Sequence, residues 1–535
     1  MDLSYEKIIH DTLLDNYGVF TFNGSKTGNA YADFLLGVPS TMTQDAPVRK
    51  TDNGAYISAF AQDDFRIHSR VTLNLGLRYD VQFPFTDPDN RKLAFVPGRQ
   101  STVSPTAPVG LLFPGDEGVS RGIVKTDVDN IAPRIGMAWD PKGDGRTAVR
   151  AAFGLFYGSI TGNEWNTTAD NQPFTVRQSF PTVYTLSDPY RNLPGGASPF
   201  PFTYSPTAPR FTLPAQIFGP SLDFEWPVTY QANVTVEREI GRSFSVSASY
   251  VGAFARHLAA AVDNNYPVFG PAATAANVNT RRPYLPGTIG AASVLSSIFG
   301  SDYNGLQLSA ERRGSRVSGK AYYSFGRGYE DVDFQGGGLP GIQNSTRLGD
   351  ERARTSADRT HSFVLSGVWK VDYLKGSPSP VSVLAHDWTL SAIVTLQSGT
   401  PLTIGAGQDR NLDGLTNDRA DLVGNPVLGS GRPRDELIEG WFNVAAFANP
   451  ALGANGGSGR SIVDGPGYRN VDLGIFRDVP LRGRSMFQFR IEATNVFNIV
   501  NLNNPGLNLS APATFGKIRS ARNMRQIQLG ARVSF

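Results

Sequence analysis

The segment DRNLDGLTND places Asp409, Asn411 and Asp413 two residues apart, with Gly414 directly after them. Hard oxygen ligands at alternate positions, followed by a glycine for a sharp turn, open the calcium-loop pattern D-x-[DN]-x-[DN]-G. Such a loop can wrap a Ca²⁺ ion with carboxylate, amide and backbone oxygens. The usual distal glutamate is not at its expected place, so Asn417 or Asp418 would have to substitute. The alternative is an Asx-rich turn whose side chains are satisfied by their own backbone. In the calcium reading the element stiffens the long stretch 398–467, and Ca²⁺ is an optional ion rather than a required cofactor.

No other group of residues has catalytic spacing. His10, His68, His257, His361 and His386 are scattered, and neither HExxH nor GxSxG occurs. The chain has no cysteine, which excludes a disulfide scaffold and thiolate metal sites. Enzymatic function is therefore not expected. The net charge is +3 over 535 residues, which gives no reason to expect a nucleic-acid surface. Trp165, Tyr184, Phe200, Phe202 and Trp441 fall in long polar stretches. There they could stack on a sugar or a chelate, or pack the stretches together, and the ligand itself is not specified.

The elements that must carry these stretches have a period of two. In VTLNLGLRYDVQ the apolar row is Val71, Leu73, Leu75, Leu77, Tyr79 and Val81, and the other row includes Asn74, Arg78 and Asp80. The same alternation recurs at Val228–Glu237, Phe244–Tyr250, Val149–Tyr157, Val317–Phe325, Phe363–Val371, Trp388–Leu396 and Phe487–Ala493. It ends in RQIQLGARVSF, where Ile527, Leu529, Ala531, Val533 and Phe535 form one row. Alternation puts one row on each face of a strand. The last strand is close to the ~9–11 residues a tilted strand needs to cross a bilayer. No apolar run reaches the length of a membrane helix, and mean hydropathy is -0.23. A membrane barrel is compatible with that value, because every second residue faces the lumen. Short helical pieces are expected near Ala32–Gly37 and Ser293–Phe299.

Connections decide between a soluble sandwich and a membrane barrel. Short turns at 68–70, 141–145, 239–242, 313–315 and 480–484 alternate with long stretches at 84–130, 158–225, 256–302, 327–359 and 398–467. The connection 372–387 is intermediate and belongs to the short set by order. Outer-membrane barrels have short periplasmic turns and long extracellular loops. The expected fold is therefore an all-β transmembrane antiparallel barrel, with roughly 15–16 strands present of a larger barrel. Two weak strands are expected near Val19–Phe22 and Ser40–Val48. With the short turns in the periplasm, the last strand delivers Phe535 to the periplasm, and the chain enters from outside the cell. Residues 1–16 are then a loop remnant or a disordered start, residues 17–535 are the barrel, and a preceding part is expected to be absent. By the same parity Trp139, Trp369 and Trp388 mark the periplasmic membrane edge and Trp226 the outer edge, as in an aromatic girdle. Phe535 is a candidate signal for the barrel-assembly machinery.

YISAFAQDDFRIHSRVTLNLGLRYD (Tyr56–Asp80) resembles the barrel hairpin of TonB-dependent outer-membrane receptors. IAPRIGMAWDPKGDGRTAVRAAFGLFYG (Ile131–Gly158) and NVFN (Asn495–Asn498) are similar to further blocks of the same barrels, in the same order. WTLSAIVTLQSGTPLTI and LTNDRADLVG resemble the Oar-like, carboxypeptidase-regulatory-domain-containing branch. The resemblance runs from about Tyr17 to the end. It implies a receptor that binds a scarce extracellular ligand and imports it past an N-terminal plug. Its partners would be outer-membrane lipid, the TonB complex and the barrel-assembly machinery. No plug, TonB box or regulatory domain precedes Tyr17, so the TonB contact would need a missing N-terminal part. The rivals are a passive porin-like channel and a surface adhesin or structural barrel.

Overall fold

A computed structural model describes the chain except residues 13–16, 47, 160–164, 166, 181–182, 193–195, 199, 335–340, 373–385, 430 and 482. Its main feature is a sixteen-stranded sheet. Fourteen strands form one continuous antiparallel path. They are β1 Asp2–Thr12, β2 Val48–His68, β3 Val71–Thr86, β4 Asn130–Trp139, β5 Thr147–Tyr157, β6 Val228–Ile240 and β7 Phe244–Asp263. The path continues with β8 Ile289–Arg313, β9 Val317–Glu330, β10 His361–Val371, β11 Trp388–Gln397, β12 Tyr468–Pro480, β13 Met486–Thr494 and β14 Gln526–Ser534. Two short strands join from the side: Ala215–Pro220 lies parallel to β8, and Ala353–Arg354 pairs with β9. Each strand on the path pairs with its sequence neighbours, so the long and short connections fall at opposite ends of the sheet. Among the described residues β1 and β14 are the two ends of the path.

Register aligns the rows that the sequence alternates. Leu75 faces Ile135, Ile135 faces Phe153, and Phe153 faces Ala232. Farther along, Val234 faces Tyr250, Tyr250 faces Leu306, and Leu306 faces Phe325. At the far end Ile475 faces Ile491, and Ile491 faces Leu529. This apolar row is open instead of packed into a core: Leu77 is 54% exposed, Ile135 55% and Leu529 68%. Such an inversion is stable only if the outward row meets lipid. The opposite row is knitted by polar contacts. Arg150 meets Glu237 at 2.6 Å, Thr235 donates to Ser249 at 2.9 Å, and Ser247 and Ser309 lie 2.7 Å apart.

A short turn shows why the hairpins stay tight. Asp140 accepts hydrogen bonds from the amides of Gly143 and Gly145, both at 2.8 Å. Those two glycines hold φ of +71° and +69°, a region that costs other residues energy.

The buried apolar core lies in the long connections, not in the sheet wall. Leu93, Phe95, Leu111, Phe113 and Phe174 pack with Ile217 and Ile289. Phe85, Trp165, Phe224, Trp226 and Leu295 form a second cluster, and Ile404, Phe442, Phe447, Val463 and Phe515 a third. Strands β2, β7 and β8 run 21, 20 and 25 residues, well beyond the ~9–11 needed to cross a membrane. They carry the sheet into this outer layer.

Four expectations are corrected. Residues 2–12, expected as a loop remnant or disordered start, form β1, which pairs with Val48–Ser58, the first half of β2. The weak strands exist as Val19–Thr21 and Thr41–Asp45, but they form a separate three-stranded sheet with Arg177–Phe180. One strand, not two, therefore precedes β2 on the path, and it begins opposite Ser58, midway along β2. Ser293–Phe299 is not helical. It lies inside β8, held between β7 and the strand Ala215–Pro220. Much of the stretch 256–302 is likewise strand, with β7 reaching Asp263 and β8 starting at Ile289. The helix expected near Ala32 is present as Ala30–Leu35 and is capped by Asn29. Most of the connection 372–387 lies outside the described residues.

Candidate functional site

The DRNLDGLTND loop lies where three long connections meet. Asp409 accepts from the amides of Asp413 at 3.0 Å and Gly414 at 2.9 Å, and Asp413 accepts from Leu415 at 2.8 Å. Asp418 accepts from the amides of Arg410 and Asn411 at 2.5 and 2.9 Å. From the connection after β7, Tyr266 donates to Asp413 at 3.1 Å. From the connection after β9, the carbonyl of Gln343 accepts from Asn411 at 3.2 Å, and that of Ile342 accepts from Asn417 at 2.9 Å. The carboxylates therefore order their own turn, and Asp413 together with the Asn411 and Asn417 amides locks it to two neighbours.

The electrostatics are unbalanced. Asn411, Asp413 and Asp418 are buried. Burial pushes the Asp413 carboxyl up, and it pushes Asp418 up to about 6 despite the two amides it accepts. Burial and then the nearby Asp413 raise the Tyr266 phenol. The neighbouring guanidinium groups meet acceptors other than these carboxylates: Arg410 the Pro450 carbonyl, Arg281 the Leu412 carbonyl, and Arg419 Glu351. Asp418 Oδ1 and Asn417 Oδ1 are buried without a hydrogen-bond partner. Among the described residues no group of three or more His, Cys, Asp or Glu side chains is placed to hold a metal ion. A calcium shell here would have to draw on the amide oxygens of Asn411 and Asn417 and on backbone carbonyls, which calcium accepts.

The connections are pinned by further buried polar groups that the sequence does not single out. Asp116 accepts from the Thr102, Val103 and Phe113 amides and from the Ser101 and Thr102 hydroxyls. Burial alone would raise its pKa, but these bonds outweigh it and hold the carboxyl down at about 2. Lys92 and Asp52 form an ion pair of 2.6 Å with both side chains buried.

Trp139 and Trp369 stand exposed on the outward row near the short turns, and Trp388 shares that row. Trp226 does not belong to a girdle. It is 4% exposed and packs edge-to-face on Trp165 and Phe224, because the long connections fold over it. Of the loop aromatics, Trp165 is buried and Phe200 and Trp441 pack against clusters. Phe202 is half-buried. Tyr184 is exposed, with the Arg191 guanidinium 4.3 Å above its ring. Phe535 follows β14 and is fully exposed.

A wide antiparallel sheet with an exposed apolar row, a polar opposite row and all long connections at one end defines a β-barrel of the bacterial outer membrane. The chain belongs to the outer membrane beta barrel domain family, whose model matches residues 1–528. It is similar to the TonB-dependent transporter Oar of Myxococcus xanthus, with 29% identity over 145 residues, 27% of this chain and 11% of that protein. Among solved structures it resembles the outer membrane transporter YddB from Escherichia coli, at TM-score 0.44 and 10% identity, covering 92% of this chain and 52% of that one. It also resembles the FrpB iron transporter from Neisseria meningitidis (F5-1 variant), at TM-score 0.42 and 13% identity, covering 99% and 52%. The chain thus spans about a tenth of the curated relative and about half of these solved chains. These relatives are transporters, not enzymes.

Proposed function

We propose that the protein takes up a scarce extracellular ligand across the outer membrane, with first contact at the long connections. The observation that supports this is the folded layer they build, with its own buried clusters, above a sheet whose inner row is polar. In this reading the short turns and Phe535 face the periplasm. Coupling to TonB would use a plug and a TonB-contacting segment outside the barrel portion. The open backbone edges at the two ends of the path, residues 59–68 of β2 and β14, must be paired in lipid, since unpaired peptide groups are costly there. Phe535 would contribute to recognition by the barrel-assembly machinery, and its deletion should lower outer-membrane yield.

The reading is tested in the host by comparing what three strains remove from the medium: the parent, a strain lacking this gene, and a TonB-deficient strain. Uptake predicts at least one compound that the parent depletes and both mutants leave. A compound that depends on this gene but not on TonB would instead establish a passive channel. Unchanged depletion with lost surface attachment would establish an adhesin.

We also propose that Asp409, Asn411, Asp413, Asn417 and Asp418 take Ca²⁺ and stiffen the 398–467 connection. The two orphaned buried oxygens, on Asn417 and Asp418, favour this.

A further inference from the structure

A cavity of about 240 Å³ opens at the long-connection end of the sheet, lined mostly from its polar row. It lies where β4 and β5 part. The first residues of β4 pair only with β3, and the last residues of β5 pair only with β6. Glu6, Tyr56, Asp80, Asn130, Tyr157 and Trp226 line it. They come from β1, β2, β3, β4, β5 and the residues just before β6, so the pocket exists only once all six segments are assembled.

Its buried wall holds an acceptor that no donor meets. Asn130 is 3% exposed, and its Oδ1 meets no donor. Tyr56 already spends its hydroxyl hydrogen on Asp80, whose carboxylate also receives Arg78 Nε at 2.7 Å. Glu6 adds a second carboxylate. Asp127, on the approach to β4, accepts from the Trp226 backbone, and Asp129 lies next to it. Burial and then the hydrogen bond with Asp129 push the Asp127 carboxyl up. Ser4, Gln82, Tyr157 and Ser159, also in the lining, can donate as well as accept, but the Arg78 guanidinium is spent on Asp80, which leaves the Glu6 charge and Asn130 Oδ1 to be met. A ligand group that only donates and is positive completes such a site, and ammonium and guanidinium are those groups. The aromatic walls add attraction for a cation.

We propose that this cavity binds the ammonium or guanidinium group of an organic cation, such as a basic peptide side chain, with Asn130 Oδ1 and Glu6 as its polar contacts. As a ligand contact on the polar face it deepens the uptake reading. Its test reads binding alone, so either can fail without the other.

The purified protein in detergent micelles is titrated with N-acetyl-arginine amide, and with methyl glucoside as the neutral control, by saturation-transfer NMR. The arginine amide should bind and the glucoside should not. Asn130→Leu and Glu6→Gln should each weaken binding by about tenfold, as expected for losing a hydrogen bond or ion contact to a charged group. Asn130→Asp keeps the shape, adds an anion and should tighten it. Heat-modifiable gel migration checks the fold of each variant. If Asn130→Leu does not fold, Asn130→Asp and Glu6→Gln decide. Absence of saturable arginine-amide binding, equal binding of the glucoside, or weakening by Asn130→Asp would overturn the assignment.

Discussion

Leu75 of β3 and Ile135 of β4 stand directly opposite each other in register, and both are exposed. In water that pair would forgo roughly 1.5–3 kcal/mol of burial per side chain. Repeated from β3 to β14, such exposure would make a soluble protein aggregate. In a bilayer the same row is in its proper solvent, and the Arg150–Glu237 pair on the other row is in its own.

The two rows should therefore respond oppositely to charge. Ile135→Arg should cost about 2–4 kcal/mol if it falls near the bilayer midplane. Thr235→Arg, on the polar row, should change stability by under about 1 kcal/mol. Reversible denaturant unfolding in lipid vesicles measures both. Equal penalties would mean that the rows are not sorted between lipid and lumen.

Asp116 should be a fixed point of the 87–129 connection. Asp116→Ala strands three amides and two hydroxyls, and should destabilise that connection by about 3 kcal/mol. The sheet itself should stay intact. Proteolysis confined to 87–129 would show this, and unchanged resistance would contradict it. Because its folded pKa of about 2 lies below the unfolded value of ~3.9, its stabilisation is complete above the unfolded value. It is lost as pH falls through the folded one.

Asp418 has the opposite sign. Its folded pKa of about 6 lies above the unfolded ~3.9. The folded loop therefore binds the extra proton, and stability falls as pH rises between those values. Amide protection over 409–418 should be greater at pH 5 than at pH 7.5. Asp418→Asn should remove most of the difference. Calcium at pH 7.5 should restore protection in the native loop but not in the variant. No response to calcium in protection or loop proteolysis would end the calcium proposal while leaving the pH effect standing.

The Lys92–Asp52 pair should be costly to halve. Lys92→Met leaves Asp52 buried without its partner and should cost about 3–5 kcal/mol. Pairing it with Asp52→Leu should recover much of that. A double variant as unstable as the single one would show that Lys92 acts through its contacts with Trp165 and Thr168 instead.

The sheet was legible in the sequence because period two survives along part of most long strands, and the alternation of connection lengths sorts the long and short connections to opposite ends. Weaker signals misled for identifiable reasons. Val19–Thr21 has the right residues for a strand, but three residues do not say which sheet they join. Ala292, Val294, Leu295 and Phe299 form a dense apolar run that reads as a helix face, yet pairing on both sides makes it strand. Trp226 sits at a strand end as an interfacial residue would, and only the fold of the long connections buries it. The acidic loop was visible as a local motif, but its latch partners Tyr266 and Gln343 were not. The Asn130 cavity was invisible, because its walls come from positions between 4 and 226.

The sorting of the two rows is tested most directly by single-cysteine spin labels along β3, since the chain has no native cysteine. Labels at positions 73, 75, 77 and 79 should be open to oxygen dissolved in lipid and shielded from a water-soluble nickel chelate. Labels at 74, 76, 78 and 80 should show the reverse, in strict alternation. Equal access of the nickel chelate to both rows would contradict the membrane barrel.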